Sequence, residues 1–471
     1  MMNIDDIKSI FFIGIGGIGM SALARFFNHK GVKVSGYDKT ATPLSRKLEA
    51  EGIAVHYFDD VSLLDKSAQL VVYTPAIPAT QSQLKWYQAR DYKIVKRSDV
   101  LGMITQTGFN ICVAGTHGKT SISTMVAHLL RHTGYGCNAF LGGVSVNYGT
   151  NFWSSANQVS VIEADEFDRS FLKLSPDISV VTSMDPDHLD IYKTADAMQQ
   201  AFVDFASKTK PTGVLIRRQE LVRLNEAMVR RQLTYQLEGA MENIVSKEHE
   251  HHDEEDEPDI YAENIEVQGN GYRFDAMVSG VAFKGVQLNT GGLHNIENML
   301  VAITVAKLLD IKVVAIKEAV AAYKGVKRRF EYILDGSTGT PVFIDDYAHH
   351  PSELEALLKS VRNMYPGKKV AVIFQPHLFS RTKDFADGFA TSLMLADEAV
   401  LLPVYPAREL PMEGVTSELI GNKMERVTLL EKNLLNEWLQ LHPVDVLVTA
   451  GAGDIDAMIP EIKEILQKSR N

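Results

Sequence analysis

The stretch FNICVAGTHGKTSISTMVAHLLRHTG, residues 109–134, restricts the possible folds most tightly: an apolar run ends in glycines and passes without a linker into a helical pattern. A strand that reads apolar on both faces needs cover on both sides, which parallel sheets obtain from crossover helices. The same order of strand, glycine turn and helix occurs earlier in FFIGIGGIGMSALARFF, residues 11–27. Around it, residues 8–105 alternate strand-like runs (SIFFIGI, KVSGYD, QLVVYT, YKIVKR) with helical stretches. The central series continues through VSVIEADEFD and ISVVTSMDPDHLDIY, and a third begins near Gly325 with PVFIDDYAHH, KKVAVIFQPH, EAVLLPVYPA and DVLVTAGAGD. Open parallel sheets bind ligands at the carboxyl ends of their strands. Glycines and acids collect at those ends in all three series, joined by histidines in the second and third, so a multi-substrate enzyme is expected.

With 471 residues, the chain has length for about three domains. Its 45% hydrophobic and 23% charged residues are those of an ordinary globular protein. A net charge of -11 argues against nucleic acid as the main partner, because backbone phosphates require clustered Lys and Arg. Two cysteines, Cys112 and Cys137, are too few for a disulfide framework and point to a reducing compartment, with both thiols as packing residues. No leader pattern opens the chain, and no apolar run reaches the roughly 18 to 20 residues of a membrane span. A cytoplasmic protein is expected, with no membrane partner. The charged run KEHEHHDEEDEPD, residues 247–259, reads as a solvated loop without function.

Three groups of residues carry chemistry. Gly14, Gly16 and Gly19 fit G-x-G-x-x-G, and Asp38 ends the next strand where a ribose-binding acid sits in nicotinamide enzymes. Glycines allow close backbone approach to any diphosphate, so this turn does not choose between NAD and another nucleotide. GTHGKT, residues 115–120, is a compact phosphate loop: its backbone N–H groups cradle phosphates, Lys119 neutralises them, and the Thr120 hydroxyl serves Mg²⁺. The acids of EADEFD and MDPDHLD supply hard oxygen ligands beside it. In the third series, His349 and His350 exceed what a helix cap needs, and His377 and Arg381 suit a carboxylate or phosphate. In GVKRRF one arginine is expected to reach a nucleotide phosphate while its neighbours remain solvated.

Nine ordered motifs, GIGGIGMSALA, VAGTHGKTS, EADEFDRSFL, DPDHLDIY, GLHNIENMLVA, GVKRRFE, DDYAHHPSE, FQPHLFSRT and GAGDI, resemble those of the Mur ligases over nearly the whole chain. The resemblance implies three consecutive α/β domains: a Rossmann-like UDP-sugar domain (1–107), a P-loop ATPase-type central domain (108–324) and a Rossmann-like C-terminal domain (325–471). It implies ATP-dependent joining of L-alanine to the lactoyl carboxylate of UDP-N-acetylmuramate through an acyl phosphate, with ATP and Mg²⁺ required, by a monomer or weak homodimer. The rival readings are a recycling ligase that attaches a tripeptide and, in a different class, an NAD-dependent dehydrogenase.

Carried over by motif, Gly14, Gly16, Gly17, Ile18, Gly19, Asp38 and Thr74 serve the UDP-sugar. Gly115, Thr116, His117, Gly118, Lys119, Thr120, Ser121, His294, Asn298, Arg329 and Asp346 serve ATP. Thr120 is the implied ligand of a first Mg²⁺ and Glu163 and His188 those of a second, with Lys119, His188, His349 and Arg381 the implied catalytic set. His377 and Arg381 receive the amino acid; many relatives have arginine where this chain has Leu378, which puts more weight on Arg381. AMQQAFVDF offers no lysine for the carbamylation known in sister ligases, so none is expected.

Overall fold

The computed structural model describes residues 4–186, 189–237, 258–407 and 409–468. Its first sheet contains β1 (Ser9–Ile13), β2 (Lys33–Tyr37), β3 (Ala54–His56), β4 (Leu70–Tyr73) and β5 (Ile94–Lys96), in the order β3-β2-β1-β4-β5. All neighbours pair in parallel. Every residue of β1 is buried, as its unbroken apolar run requires. Successive strands leave β1 in opposite directions, so the crevice between β1 and β4 is the sheet's topological switch point. Gly14 and Thr74, which follow those two strands, stand at it.

The second sheet contains β6 (Phe109–Ala114), β7 (Asn138–Ser145), β8 (Thr150–Trp153), β9 (Val159–Glu163), β10 (Ile178–Val181), β11 (Val214–Arg218), β12 (Gln232–Tyr235), β13 (Ile260–Gln268), β14 (Gly271–Val278) and β15 (Val281–Leu288). Its order is β15-β14-β13-β12-β11-β10-β6-β9-β7-β8. β6 pairs in parallel with β9 on one side and β10 on the other, so the glycine loop after β6 emerges between the ends of both. β8 is antiparallel to β7. The turn from β14 to β15 puts Ser279 and Gly280 in the left-handed region (φ 47 and 79), the geometry of a two-residue hairpin. The third sheet contains β16 (Glu331–Asp335), β17 (Val342–Asp346), β18 (Val370–Phe374), β19 (Glu398–Leu401), β20 (Thr428–Leu429) and β21 (Val446–Ala450), ordered β16-β17-β21-β18-β19-β20. Only β16 runs antiparallel to its neighbour.

Two compact units result: Met1–Glu263 with Asp275–Lys284 and Glu297–Val320, and Asn264–Phe274 with Gly285–Ile296 and Ala321–Asn471. In the first unit one core runs continuously under the first two sheets. Phe26, on the helix Ile18–His29, packs against Phe140 of β7 with ring centroids 5.3 Å apart. Beside it the Arg25 guanidinium donates to Asn151 Oδ1 (2.6 Å), and Asn151 Nδ2 donates to the Ile18 carbonyl (2.6 Å). Cys112 and Cys137 are fully buried in this unit as free thiols, and desolvation pushes the Cys137 pKa up to about 12. In the second unit, Phe343, Ile373, Val400 and Leu447 centre a core closed by Trp438 and Ile462. No helix among the described residues is long and apolar enough to cross a membrane.

Candidate active site

Both glycine turns end in helices of the same kind. The helix Ile18–His29 has Gly17 as its N-cap and the helix Lys119–His132 has Gly118, and no described side chain caps either. Uncapped first-turn N–H groups at the positive end of a helix favour an anion. Gly14 takes φ +86 and hands its N–H, with that of Ile15, to the Tyr37 carbonyl (2.7 and 3.0 Å). Gly115 takes φ +134, and a side chain there would collide with the Thr182 hydroxyl. These glycines are required by the backbone, and the anion-facing turns follow from them.

The predicted UDP-sugar residues divide. Gly17, Ile18, Gly19 and Thr74 line a cavity of about 280 Å³, together with Arg97, Gly142, Glu163 and Asp165. Gly14 and Gly16 shape the turn without lining it. Asp38 works locally: its Oδ2 accepts the Gly16 N–H (2.8 Å) and its Oδ1 the Thr40 N–H (3.1 Å). That arrangement explains the acid as a brace for the glycine turn.

In the phosphate loop, Thr116 N–H donates to the Ser183 carbonyl (3.3 Å) and His117 N–H to Ser183 Oγ (2.9 Å). The Thr182 hydroxyl donates to the His117 carbonyl. The loop is therefore held from β10. Lys119 Nζ lies 2.8 Å from the Glu166 carboxylate. The Thr120 hydroxyl donates to Glu163 Oε1 (3.0 Å), whose other oxygen accepts the Gly142 N–H (2.9 Å). Ser121 and Asn298 are buried, and Asn298 lies near Gly118. A hydroxyl beside a carboxylate at the end of a strand is a hard-oxygen set that fits Mg²⁺. His188, the third implied ligand, lies outside the described residues, as do residues 247–257 of the charged run.

The second unit gathers another cluster. His349 and His377 face each other edge to face with ring centroids 6.3 Å apart, and His377 stacks on Tyr405. Burial lowers the His349 pKa, the Glu353 charge opposes that shift, and Arg381 adds to it. The Asp346 carboxylate accepts N–H groups from Phe330 and Ala348 (both 2.7 Å), and desolvation pushes its pKa up to about 6. Arg329 is exposed and its charge is felt by both Asp346 and His349. His294 is exposed, with its ring folded over Gly292. Leu378 carries φ +69 outside glycine's preserve, held by its N–H on the Tyr405 carbonyl (2.9 Å).

Two expectations need correction. Arg328 is not solvated: its guanidinium pairs with the buried Asp345 (3.3 Å) and donates to the Gly451 and Gly453 carbonyls. The positive charge is used to close the third sheet, leaving Arg329 as the exposed neighbour. His350 does not exceed the cap. It is the N-cap of the helix Pro351–Met364, its Nδ1 accepting from Ser352 N–H while Glu353 accepts the His350 N–H (3.2 Å). Sequence reasoning also missed Arg97 and Thr182, and it grouped Asp165 and Glu166 with the oxygen ligands without the cations they meet. Arg97 and Lys96, which end the strand-like run YKIVKR, each meet an acid of EADEFD, Asp165 at 3.2 Å and Asp168 at 2.6 Å.

Models of three domains match in order: Mur ligase family, catalytic domain, at residues 9–108; Mur ligase middle domain at 113–306; and Mur ligase, glutamate ligase domain, at 328–453. The chain is 44% identical to the UDP-N-acetylmuramate--L-alanine ligase of Flavobacterium johnsoniae, over 99% of this chain and all of that one. The chain belongs to the Mur ligase family. A protein of the same description from Cytophaga hutchinsonii is 43% identical over 99% of this Mur ligase and 98% of its own length. Among solved structures, the UDP-N-acetylmuramate-alanine ligase of Thermotoga maritima superposes with TM-score 0.80 at 26% identity, covering 98% of this Mur ligase and all of that chain. The murein peptide ligase of Psychrobacter arcticus shares the fold at TM-score 0.67 and 22% identity, covering 98% and 99%.

Proposed function

We propose that this Mur ligase joins L-alanine to the lactoyl carboxylate of UDP-N-acetylmuramate at the expense of ATP, a step of peptidoglycan precursor synthesis. The observation that carries the reading is the pair of uncapped helix N-termini in one compact unit, with a cavity and a Thr120–Glu163 oxygen pair beside them. Two polyphosphate-bearing substrates require two such termini; a dehydrogenase requires one.

The lactoyl carboxylate oxygen attacks the γ-phosphorus, the bond to the β-phosphate oxygen breaks, and ADP leaves. The alanine amine then attacks the acyl carbon, and inorganic phosphate departs with the carbon–oxygen electron pair. Two anions must approach each other in the first step, so the protein's work is charge neutralisation and alignment. Lys119 and the loop N–H groups take the phosphates. Thr120 and Glu163, with His188, would hold Mg²⁺, which supplies further neutralisation of phosphate charge. His349, held neutral by burial, takes the proton that the alanine ammonium must lose before it attacks. Arg381 and His377 receive the alanine carboxylate, with Arg329 and Asp346 at the nucleotide. On this reading the first sheet forms the sugar-nucleotide domain, the second the ATP domain and the third the amino-acid domain. The enzyme works in the cytoplasm as a monomer or weak homodimer.

Phosphate release with ATP, Mg²⁺ and UDP-N-acetylmuramate should depend on an added amine, with L-alanine preferred over glycine, L-serine and the L-Ala-γ-D-Glu-diaminopimelate tripeptide. Turnover with the tripeptide alone would transfer the chain to the recycling branch. Phosphate release indifferent to any amine would remove the ligase reading.

A further inference from the structure

Lys119 has partners within the chain itself. Its ammonium lies 2.8 Å from the Glu166 carboxylate and also donates to the carbonyls of Gly115 and Thr116 (3.3 Å to the latter). Both side chains are nearly out of solvent, 14% exposed for Lys119 and 3% for Glu166. A carboxylate this deep is stable as an anion only beside a cation. Desolvation raises the Glu166 pKa, and the Lys119 charge is the largest influence pulling it back.

The acid is fixed and the lysine can swing. The Glu166 carbonyl accepts from the Tyr192 hydroxyl (2.6 Å) and the Arg169 N–H (3.0 Å). On either side of it, Asp165 pairs with Arg97 and Asp168 with Lys96, so two consecutive cations clamp the segment. Asp168 and Arg169 both adopt φ 54, a left-handed conformation that costs a residue with a side chain about 1 to 2 kcal/mol. Only surrounding contacts can hold two such residues in succession. Lys119 opens its helix and carries its ammonium on a flexible four-carbon stem, so of the two partners the lysine is the one that can be redirected.

We infer that Glu166 is a positioning residue that holds the Lys119 ammonium across the phosphate loop of the nucleotide-free enzyme, and from which the phosphates of ATP must take it. This rests on the ATP-dependent reading. The carboxylate and the phosphates then compete for one cation, so every nucleotide binds more weakly than the loop alone would allow. The same competition speeds the departure of ADP, because Glu166 recaptures the lysine as the nucleotide leaves.

The test is Glu166→Gln, which keeps the shape and one acceptor oxygen and removes the charge. Calorimetric titration with ADP and Mg²⁺ should show a Kd about tenfold lower than wild type, one charge-assisted hydrogen bond less in the competition. The KM for ATP and kcat should fall together as ADP release slows, while the Kd for UDP-N-acetylmuramate stays unchanged. A merely structural Glu166 predicts the opposite: weaker binding of both nucleotides and a lower Tm. Should Glu166→Gln not fold, Glu166→Met at equal length reads the same comparison. ADP binding that is unchanged or weaker in a folded variant overturns the inference while a working wild type leaves the ligase reading standing. A wild type that binds no ADP overturns both.

Discussion

A methyl group on Gly142 probes the proposed metal site without replacing any of its ligands. Gly142 lies on β7 with its N–H on the Glu163 carboxylate, and a Cβ built there falls on both carboxylate oxygens, nearer than the 3.0 Å that real Cβ atoms keep. Ordinary contact begins at 3.4 Å and the built Cβ stands 2.2 and 2.3 Å from the two oxygens, so the carboxylate must recede by about 1 Å. Metal–ligand distances tolerate about 0.2 Å. The displacement therefore breaks the Thr120–Glu163 pair, and losing one charge-assisted hydrogen bond costs about 1.5 to 3 kcal/mol, or roughly 10- to 100-fold. Gly142 is outside the left-handed region, so alanine adds no backbone strain. In Gly142→Ala we expect amine-dependent phosphate release to fall by that factor, with the Mg²⁺ requirement moved to higher concentration and the Tm within a few degrees of wild type. The assay is phosphate release across a Mg²⁺ series, with Glu163→Gln alongside. Wild-type turnover and Mg²⁺ dependence in a folded Gly142→Ala chain would refute the placement of the metal on Glu163.

Gly19→Ala directs a methyl group into the Arg97 guanidinium, which is already paired with Asp165; the KM for UDP-N-acetylmuramate should rise about tenfold with the Kd for ADP unmoved, as titration of each ligand will tell. His128 is a neutral buried imidazole whose Nε2–H donates to the Ala319 carbonyl (2.8 Å) while Nδ1 accepts from the Tyr148 hydroxyl (3.0 Å). Burial lowers its pKa to about 4, so its stabilising effect is complete above the unfolded value of 6.5 and is lost as pH falls from there towards 4. The loss reaches about 3 kcal/mol, and His128→Gln should flatten that part of a urea-unfolding series taken between pH 7.5 and 4. Asp345 runs the other way: desolvation pushes it up to about 7, so it favours the fold at acid pH and loses that effect as pH rises towards 7. Asp345→Asn should therefore gain stability relative to wild type above pH 7, unless loss of the Arg328 partner outweighs it, which Arg328→Met in the same background will separate.

Much of this site is legible in the chain because its parts are local. A glycine that must take positive φ, a lysine at the first position of a helix and an acid closing a buried strand need only a few neighbours to be recognised, which is why Gly14, Lys119 and Glu163 stand out. What escapes is anything decided by a distant partner. The end of YKIVKR gives no sign of the partners of Lys96 and Arg97, because Asp168 and Asp165 lie about seventy residues later. RRF gives no sign of which arginine turns inward, because that depends on Asp345 and on carbonyls more than a hundred residues away. The β7–β8 hairpin is hidden by its glycines, which supply neither alternation nor bulk, and the three-residue β3 is too short to carry a period. Asp38 shows the limit of a local motif from the other side. It occupies the position of a ribose ligand, and its carboxylate also braces the turn, a role the motif does not announce.

The two buried thiols give this enzyme an internal clock. Neither Cys112 on β6 nor Cys137 ahead of β7 can meet a thiol-reactive dye while the central sheet is closed, since both are sealed from solvent and protonated. Labelling in native buffer thus counts only the moments when that sheet parts, and its rate measures the free energy of those openings. Any ligand that ties the phosphate loop to the rest of the unit will slow the count, without a fluorophore, a tag or a single engineered residue.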